Sequence, residues 1–500
     1  MSATLATTSV PLLRDFGDRF SPFVVKELRQ GLRTRFFTTA LMLFHFFIVL
    51  LLGSVLLEAP VEMVNGIFWG VAGLMLLLVL PLRVFNALNG EAADGTLDML
   101  TLTSIPAFRI LQGKWVAVFS QTLLVAGSLL PYMVARYYFG GVEIVRESLA
   151  LLVLVLGSGI ISAALLAFSS QRSVVLRLVL AAGIGGAATP LGFFTAFLVT
   201  SNEADFLLRE FFAFALWKQA GIFLGILLLA VYVIWYFLAL GASRIAPPSE
   251  NHSTRKRLVV LGAHAVITVI GLLLALSTTR AEGGMFVFAP LMVLTLIASM
   301  DVMTEEMPRF PMAVARLRSR GDSGILLGRL LYPGWASGVF FAMVLVCLAL
   351  VLLGVICLRV SYWDWDDGPF LFMHCLFMAA FVPVVLRLNR TNIFANWWVV
   401  QIFMAGGGFL LSMFAGATGA RDTAAIGFVT PLTTLFAVPW VTYPSRGPVL
   451  FVGSSISLLW LAVVAMRAWA NFSTYAALEK EARLLAAPPP SPPPPIPASS

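Results

Sequence analysis

Residues 148–168 read "SLALLVLVLGSGIISAALLAF", 21 positions without a charge. A helix rises about 1.5 Å per residue, so a run of this length crosses the roughly 30 Å hydrocarbon core of a bilayer. It does not alternate polar and apolar residues as a barrel strand would, and helix is therefore the expected element. "FFTTALMLFHFFIVLLLGSVLL", residues 36–57, is a second run of the same kind. The 500-residue chain around them is 59% hydrophobic and 12% charged. So few charges cannot cover the surface of a soluble protein of this size. The fold class expected is all-α, a polytopic transmembrane helical bundle.

Twelve spans are expected, near 37–58, 67–88, 115–137, 148–170, 174–199, 218–240, 258–278, 284–300, 334–358, 370–386, 396–415 and 447–468. With both termini cytoplasmic, the inner segments hold 25 of the 33 Lys and Arg residues and the outer loops hold eight. That asymmetry is what the positive-inside rule requires. The net charge of +8 is thus an orientation signal and not a footprint for nucleic acid. Trp115, Trp217, Trp335, Trp363, Trp365, Trp440 and Trp469 fall near span ends, where amphipathic rings settle. The first 20 residues have no apolar core ahead of their charges, so a cleaved signal peptide is not expected and the first span is read as the targeting signal. Cys347, Cys357 and Cys375 read as small packing residues. The tail 487–500 is too rich in proline to pack and reads as disordered.

Six spans, a basic linker (Arg244 to Arg257) and six more spans suggest a duplication. Moving the chain by 215 residues puts Glu91 on Glu306, Leu102 on Leu317, Ser104 on Ser319, Gly113 on Gly328 and Lys114 on Arg329 without a gap. The halves are then 1–250 and 251–486. Each carries a polar, turn-rich segment between its second and third spans, 91–114 in the first and 301–329 in the second. In "EAADGTLDMLTLTSIPAFRILQGK" (91–114), Leu97, Leu100 and Leu102 give a short helix an apolar side. Pro106 fits the first turn of a second helix, with Ser104 placed to cap it. A surface helix joined rigidly to a span is a lever; the same residues would also serve as a plain connector.

This segment resembles the coupling segment of ABC-2 type transporter permeases: an acid, Gly-Thr-Leu-Glu/Asp, a Leu run, Ser/Thr-x-Pro, then Gly-Lys opening the next span. Glu91, Gly95, Thr96, Leu97, Asp98, Leu100, Pro106, Gly113 and Lys114 occupy those places, with Asp94 among them. "SPFVVKELRQGLRTRFF" (21–37), with Lys26, Glu27, Arg29 and Arg33, is similar to the interfacial elbow helix ahead of that family's first span. "TPLTTLF" (430–436) is similar to its outer proline-containing segment. The second half departs from the pattern. Phe310-Pro311-Met312-Ala313 replaces Gly-Thr-Leu-Asp, and Arg316, Arg318 and Arg320 make the segment basic; Glu306, Gly328 and Arg329 keep their places.

The resemblance implies the membrane subunit of an exporter in the cytoplasmic membrane of a prokaryote. ATP and Mg would be handled by separate ATPase subunits docked on the coupling segments, and the substrate stays open. The chain itself has no G-x-x-x-x-G-K-[ST] phosphate loop. An ion-coupled secondary transporter is the alternative, and a membrane-embedded enzyme a weaker one. The first would bury acids, Lys or His within its spans, whereas nearly all charges here fall at expected span ends or in loops. The lone His45, His264 and His374 read as packing groups. The second would need clustered catalytic groups, and only "WDWDD" (363–367) is densely acidic. "GIGG" (183–186) and "GGG" (406–408) read as close-packing sites.

Overall fold

The structure is a computed structural model. It describes residues 22–93 (56 and 59 excepted), 106–139, 143–170, 174–246, 251–277, 282–318, 322–359 and 461–486, with scattered positions in 399–459. Every regular element among the described residues is helical. Nine helices there are long and apolar enough to cross a membrane, and each overlaps one of the first nine expected spans. The expected span 370–386, most of 396–415, about half of 447–468, the tail 487–500, "WDWDD" and "TPLTTLF" lie outside the described residues. The chain divides into two compact units, Met1–Ile245 and Ala246–Ser500.

Unit 1 opens with α1 (Pro22–Leu32), a two-residue break, and α2 (Arg35–Val55). The expected elbow, 21–37, is therefore two helices: the Thr34 hydroxyl donates to the Gly31 carbonyl at 2.8 Å and closes the turn between them. The second span begins as α3 (Val61–Gly73), widens into a π-helical stretch at Leu74–Val79, and tightens into a 3₁₀ turn at Pro81–Val84. Pro81 explains the change of pitch. A proline ring clashes with the carbonyl four residues back and offers no N–H, so the preceding turn opens and the Leu80 N–H reaches the Met75 carbonyl at 3.0 Å. A short α4 (Ala87–Ala93) follows, then α5 (Ala107–Phe139), α6 (Ile144–Phe168), α7 (Val174–Thr200), α8 (Asn202–Ala213) and α9 (Leu216–Ile245).

The centre of unit 1 is α6, packed by α5, α7 and α9. Its small residues allow the approach, because lipid gives helices no hydrophobic reason to associate and close packing must supply the attraction. A Cβ on Gly157 would stand 2.9 Å from Leu191 and 3.1 Å from Leu77; one on Gly159 would stand 3.1 Å from Phe119. The same approach lets the Trp115 indole donate to the Gly159 carbonyl at 2.9 Å, and sets Thr122 Oγ1 3.1 Å from Ser158 Oγ.

Unit 2 contains α10 (Ser253–Ser277), α11 (Glu282–Thr304), α12 (Met312–Arg318), α13 (Asp322–Leu331), α14 (Trp335–Arg359) and α15 (Phe472–Ala486). Helices α10, α11 and α14 pack on one another. Gly271 and Gly284 sit at their crossings: Cβ atoms there would meet Leu352 at 2.6 Å and Ala275 at 2.8 Å. One expectation is overturned in this unit. "STRKR" (253–257), read as part of a basic linker, is the first turn of α10, and Lys256 and Arg257 are buried.

Candidate functional site

The segments singled out by sequence join the spans at two junctions, one in each unit. In unit 1, Glu91 is in α4 with its side chain undescribed, and Asp94, Gly95, Thr96, Leu97 and Asp98 lie outside the described residues. Pro106 is exposed immediately before α5, which then runs unbroken for 33 residues through Gly113 and Lys114. Both are buried, Lys114 to 6% exposure. Its ammonium stands 3.3 Å from the Glu27 carboxylate of α1. Lys26, Arg29 and Arg33 of the elbow are exposed. Glu27 thus points α1 inward at α5 while its basic neighbours face out.

A second fastening lies beside the first. Arg83, on the 3₁₀ turn, donates to the Gly31 carbonyl at 2.8 Å, to Thr34 Oγ1 at 2.9 Å and to the Gln121 amide oxygen, and its guanidinium covers the Phe37 ring at 5.2 Å. One cation therefore ties the second span to the α1–α2 turn and to α5. Its planar fork suits three acceptors at once. Arg177, at the start of α7, donates to Asn86 beyond the 3₁₀ turn.

In unit 2, Glu306 is exposed, with Arg309 3.9 Å away in a pair open to solvent and worth little. Arg316 and Arg318 are on α12 with side chains undescribed, and Arg320 lies outside the described residues. Gly328 is buried under the Tyr332 ring, and Arg329 covers the Phe472 ring of α15 at 6.0 Å. Behind them lies a network that sequence reading missed. Lys256 pairs with Asp301 at 2.6 Å and with Glu305 at 3.1 Å, and Arg257 pairs with Glu305 at 2.6 Å. Ser253 and the Gly334 N–H also donate to Glu305. Burial would raise the Glu305 carboxyl, but Arg257 and Lys256 outweigh it and hold the group below the ordinary carboxylate range. No protein-family model, characterised protein or solved structure matches this chain.

The reading that charges stay at solvated ends is corrected by this network and by a second pair in unit 1. Arg136, at the end of the expected third span, and Glu147, just before the fourth, stand 2.7 Å apart with side chains 2% exposed. The Trp69 indole donates to Glu147, Arg136 donates to Asn65 at 2.5 Å, and its guanidinium lies 4.1 Å from the Phe68 ring centre. The physical reason is shared: α5, α6 and α10 run about a turn past their apolar runs, so end charges enter the bundle and must pair there. The signal was in the spacing. Asp301 in the last turn of α11 and Glu305 just past its end are four residues apart, and a short α10–α11 connection brings them level with the adjacent cations Lys256 and Arg257.

His264 is fully buried, its Nδ1 2.9 Å from the Val260 carbonyl of its own helix. His374, Cys375 and Gly408 lie outside the described residues, Cys357 is buried and Cys347 exposed. Among the described residues no group of three His, Cys, Asp or Glu side chains is arranged to hold a metal ion. Among the described residues these buried and half-buried cations of the two junctions have partners: Lys114 faces Glu27 and Arg83 faces carbonyl, hydroxyl and amide oxygens in unit 1, and Lys256 and Arg257 face Asp301 and Glu305 in unit 2.

Proposed function

We propose that the chain is the membrane-spanning subunit of an ATP-driven exporter of the ABC-2 type, coupled to separate ATPase subunits that bind ATP and Mg. In this reading it has twelve spans in two repeats with both termini cytoplasmic. The observation that carries it is residues 91–114: the acidic Gly-Thr-Leu-Asp pattern leads through Pro106 into a continuous α5, and the Lys114 that closes the pattern is gripped by Glu27 of α1. A push on 91–106 would reach both the third span and the helix ahead of the first. Duplication is supported by the starts of α5 at Ala107 and α13 at Asp322, 215 residues apart. Lys114 and Arg329, related by the same shift, each contact a short helix, α1 in one unit and α15 in the other.

An ion-coupled transporter gains one argument, the buried Lys256–Asp301 and Arg136–Glu147 pairs. A coupling ion must enter and leave its site, whereas these charges are already compensated within a turn or two of a helix end. Purification in mild detergent decides between the readings. An ABC ATPase subunit should accompany the chain, the chain alone should turn over no ATP, and reconstituted vesicles should export on ATP without an ion gradient. Transport driven by a proton or sodium gradient with no ATPase present would overturn the proposal.

A further inference from the structure

Between α13 and α14 the chain breaks at Tyr332-Pro333-Gly334. Gly334 has φ +112°, a conformation that L side chains rarely adopt, and a Cβ there would stand 2.7 Å from the Tyr475 hydroxyl. Pro333 brings no N–H, so the carbonyls around the break cannot all be satisfied within a helix. Five consecutive ones each receive a side-chain donor. Arg257 donates to the Leu330 carbonyl at 3.1 Å and to that of Gly334 at 2.9 Å. Thr254 donates to Leu331 at 2.9 Å, Ser337 to Tyr332 at 2.5 Å, and Tyr475 to Pro333 at 2.9 Å.

Four of these five bonds come from three side chains of α10 and α14, Thr254, Arg257 and Ser337, which lie beside the Glu305 network. The fifth comes from α15, a helix more than a hundred residues further along the chain. Tyr475 is 1% exposed, its ring lies 5.5 Å from that of Tyr332, and its neighbour Phe472 packs on Phe340 of α14 at 5.4 Å while receiving Arg329 of α13. Helix α15 therefore touches the residues on both sides of the break. Its buried face is narrow, Tyr475, Leu478 and Ala482, and Lys480, Glu481, Arg483, Leu484 and Leu485 are exposed.

We infer that 332–334 is a hinge between α13 and α14, and that α15 is the strap that holds it, with Tyr475 as its positioning residue. With α15 seated, α13 and α14 move as one; with α15 lifted, the Pro333 carbonyl loses its donor, Arg329 loses its ring, and α13 swings on the glycine. Unit 1 has no such hinge, since α5 is continuous across the equivalent positions. The inference concerns the mechanics of one unit and stands apart from any ATPase partner.

The test uses the full chain in lipid nanodiscs, with Cys347, Cys357 and Cys375 replaced and spin labels at Leu327 on α13 and Val351 on α14, both exposed. The wild type should give one narrow distance. Tyr475→Phe keeps the ring and removes only the donor; it should broaden the distribution and speed amide exchange across 331–338 by about five- to tenfold, the worth of one net hydrogen bond. Ending the chain after Asn471 should broaden the distance further. Leu478→Ala, a packing lesion on the same face, serves as the control and should lower the thermal midpoint with less effect on the distance at temperatures where α15 stays docked. An unchanged distance and unchanged exchange in Tyr475→Phe would overturn the strap. That variant decides the matter even if the shortened chain does not fold.

Discussion

Glu305 joins two buried cations, a hydroxyl and a backbone N–H in unit 2, so it gives a sharp forecast at the residue scale. It faces Arg257 and Lys256, and it accepts from Ser253 and Gly334. Replacing it by Gln leaves two buried cations with only Asp301 to balance them. Breaking a buried pair costs about 3–5 kcal/mol, and with 16% of its side chain exposed Glu305 belongs at the lower end of that range. Glu305→Gln should therefore lower the thermal midpoint clearly, while Glu306→Gln, exposed next to it, should leave the midpoint unchanged. The pH dependence carries a sign. Because the folded-state value of Glu305 lies below its ordinary 4.5, its contribution is full above pH 4.5 and drains away as pH falls toward the depressed value. The wild-type midpoint should fall across that acidic window, and Glu305→Gln should flatten the fall. An equal acid slope in both proteins would show that the carboxylate is not held by its cations.

At the scale of elements, α1 tests whether a short amphipathic helix is fastened or merely adjacent. Lys114 is the buried member of its pair, at 6% exposure against 18% for Glu27. Removing the acid leaves a buried cation less compensated, whereas removing the cation leaves an acid nearer solvent. Glu27→Gln should cost more thermal stability than Lys114→Met, and the double variant should be no worse than Lys114→Met alone. Equal and additive losses would mean that the two side chains do not interact. The first nine expected spans were legible beforehand because uninterrupted apolar runs leave the backbone no alternative to helix in lipid. The start of the ninth span, expected at 334, was legible too, and α14 begins at Trp335. What escaped was the fate of the charged ends. Hydropathy ends a span at the first charge, but α10 folds back over "STRKR" because Asp301 and Glu305 wait opposite, and that is a tertiary fact. The π-helical turn before Pro81 escaped likewise: proline announces a disturbance, but the neighbouring packing decides whether the helix kinks, breaks or widens.

The two units, each taken whole, present different chemistry at corresponding junctions. The first offers Glu91 and Asp98 at the connection into α5; the second offers Arg316, Arg318 and Arg320 at the connection into α13. Opposite charges favour association and like charges oppose it, so on the exporter reading one ATPase face cannot suit both junctions equally. The mechanics differ as well. A push at 91–106 meets a single rigid helix whose Lys114 is held by α1, whereas a push at 301–321 meets a hinge that α15 must brace. On the exporter reading, both differences assign the power-transmitting contact to the first unit and a supporting contact to the second. Glu91→Lys with Asp98→Lys should then abolish ATP-driven export into inverted vesicles while leaving the thermal midpoint unchanged. Reversing Arg316, Arg318 and Arg320 to Glu should weaken retention of the ATPase subunit on a column more than it slows turnover by the complexes that remain. Combining Tyr475→Phe with the arginine reversal separates charge from mechanics: if the strap only braces the second contact, the combination should export no worse than the arginine reversal alone. Export lost to the same degree from the acidic and the basic reversals would refute the asymmetry and make the two junctions equal partners in the stroke.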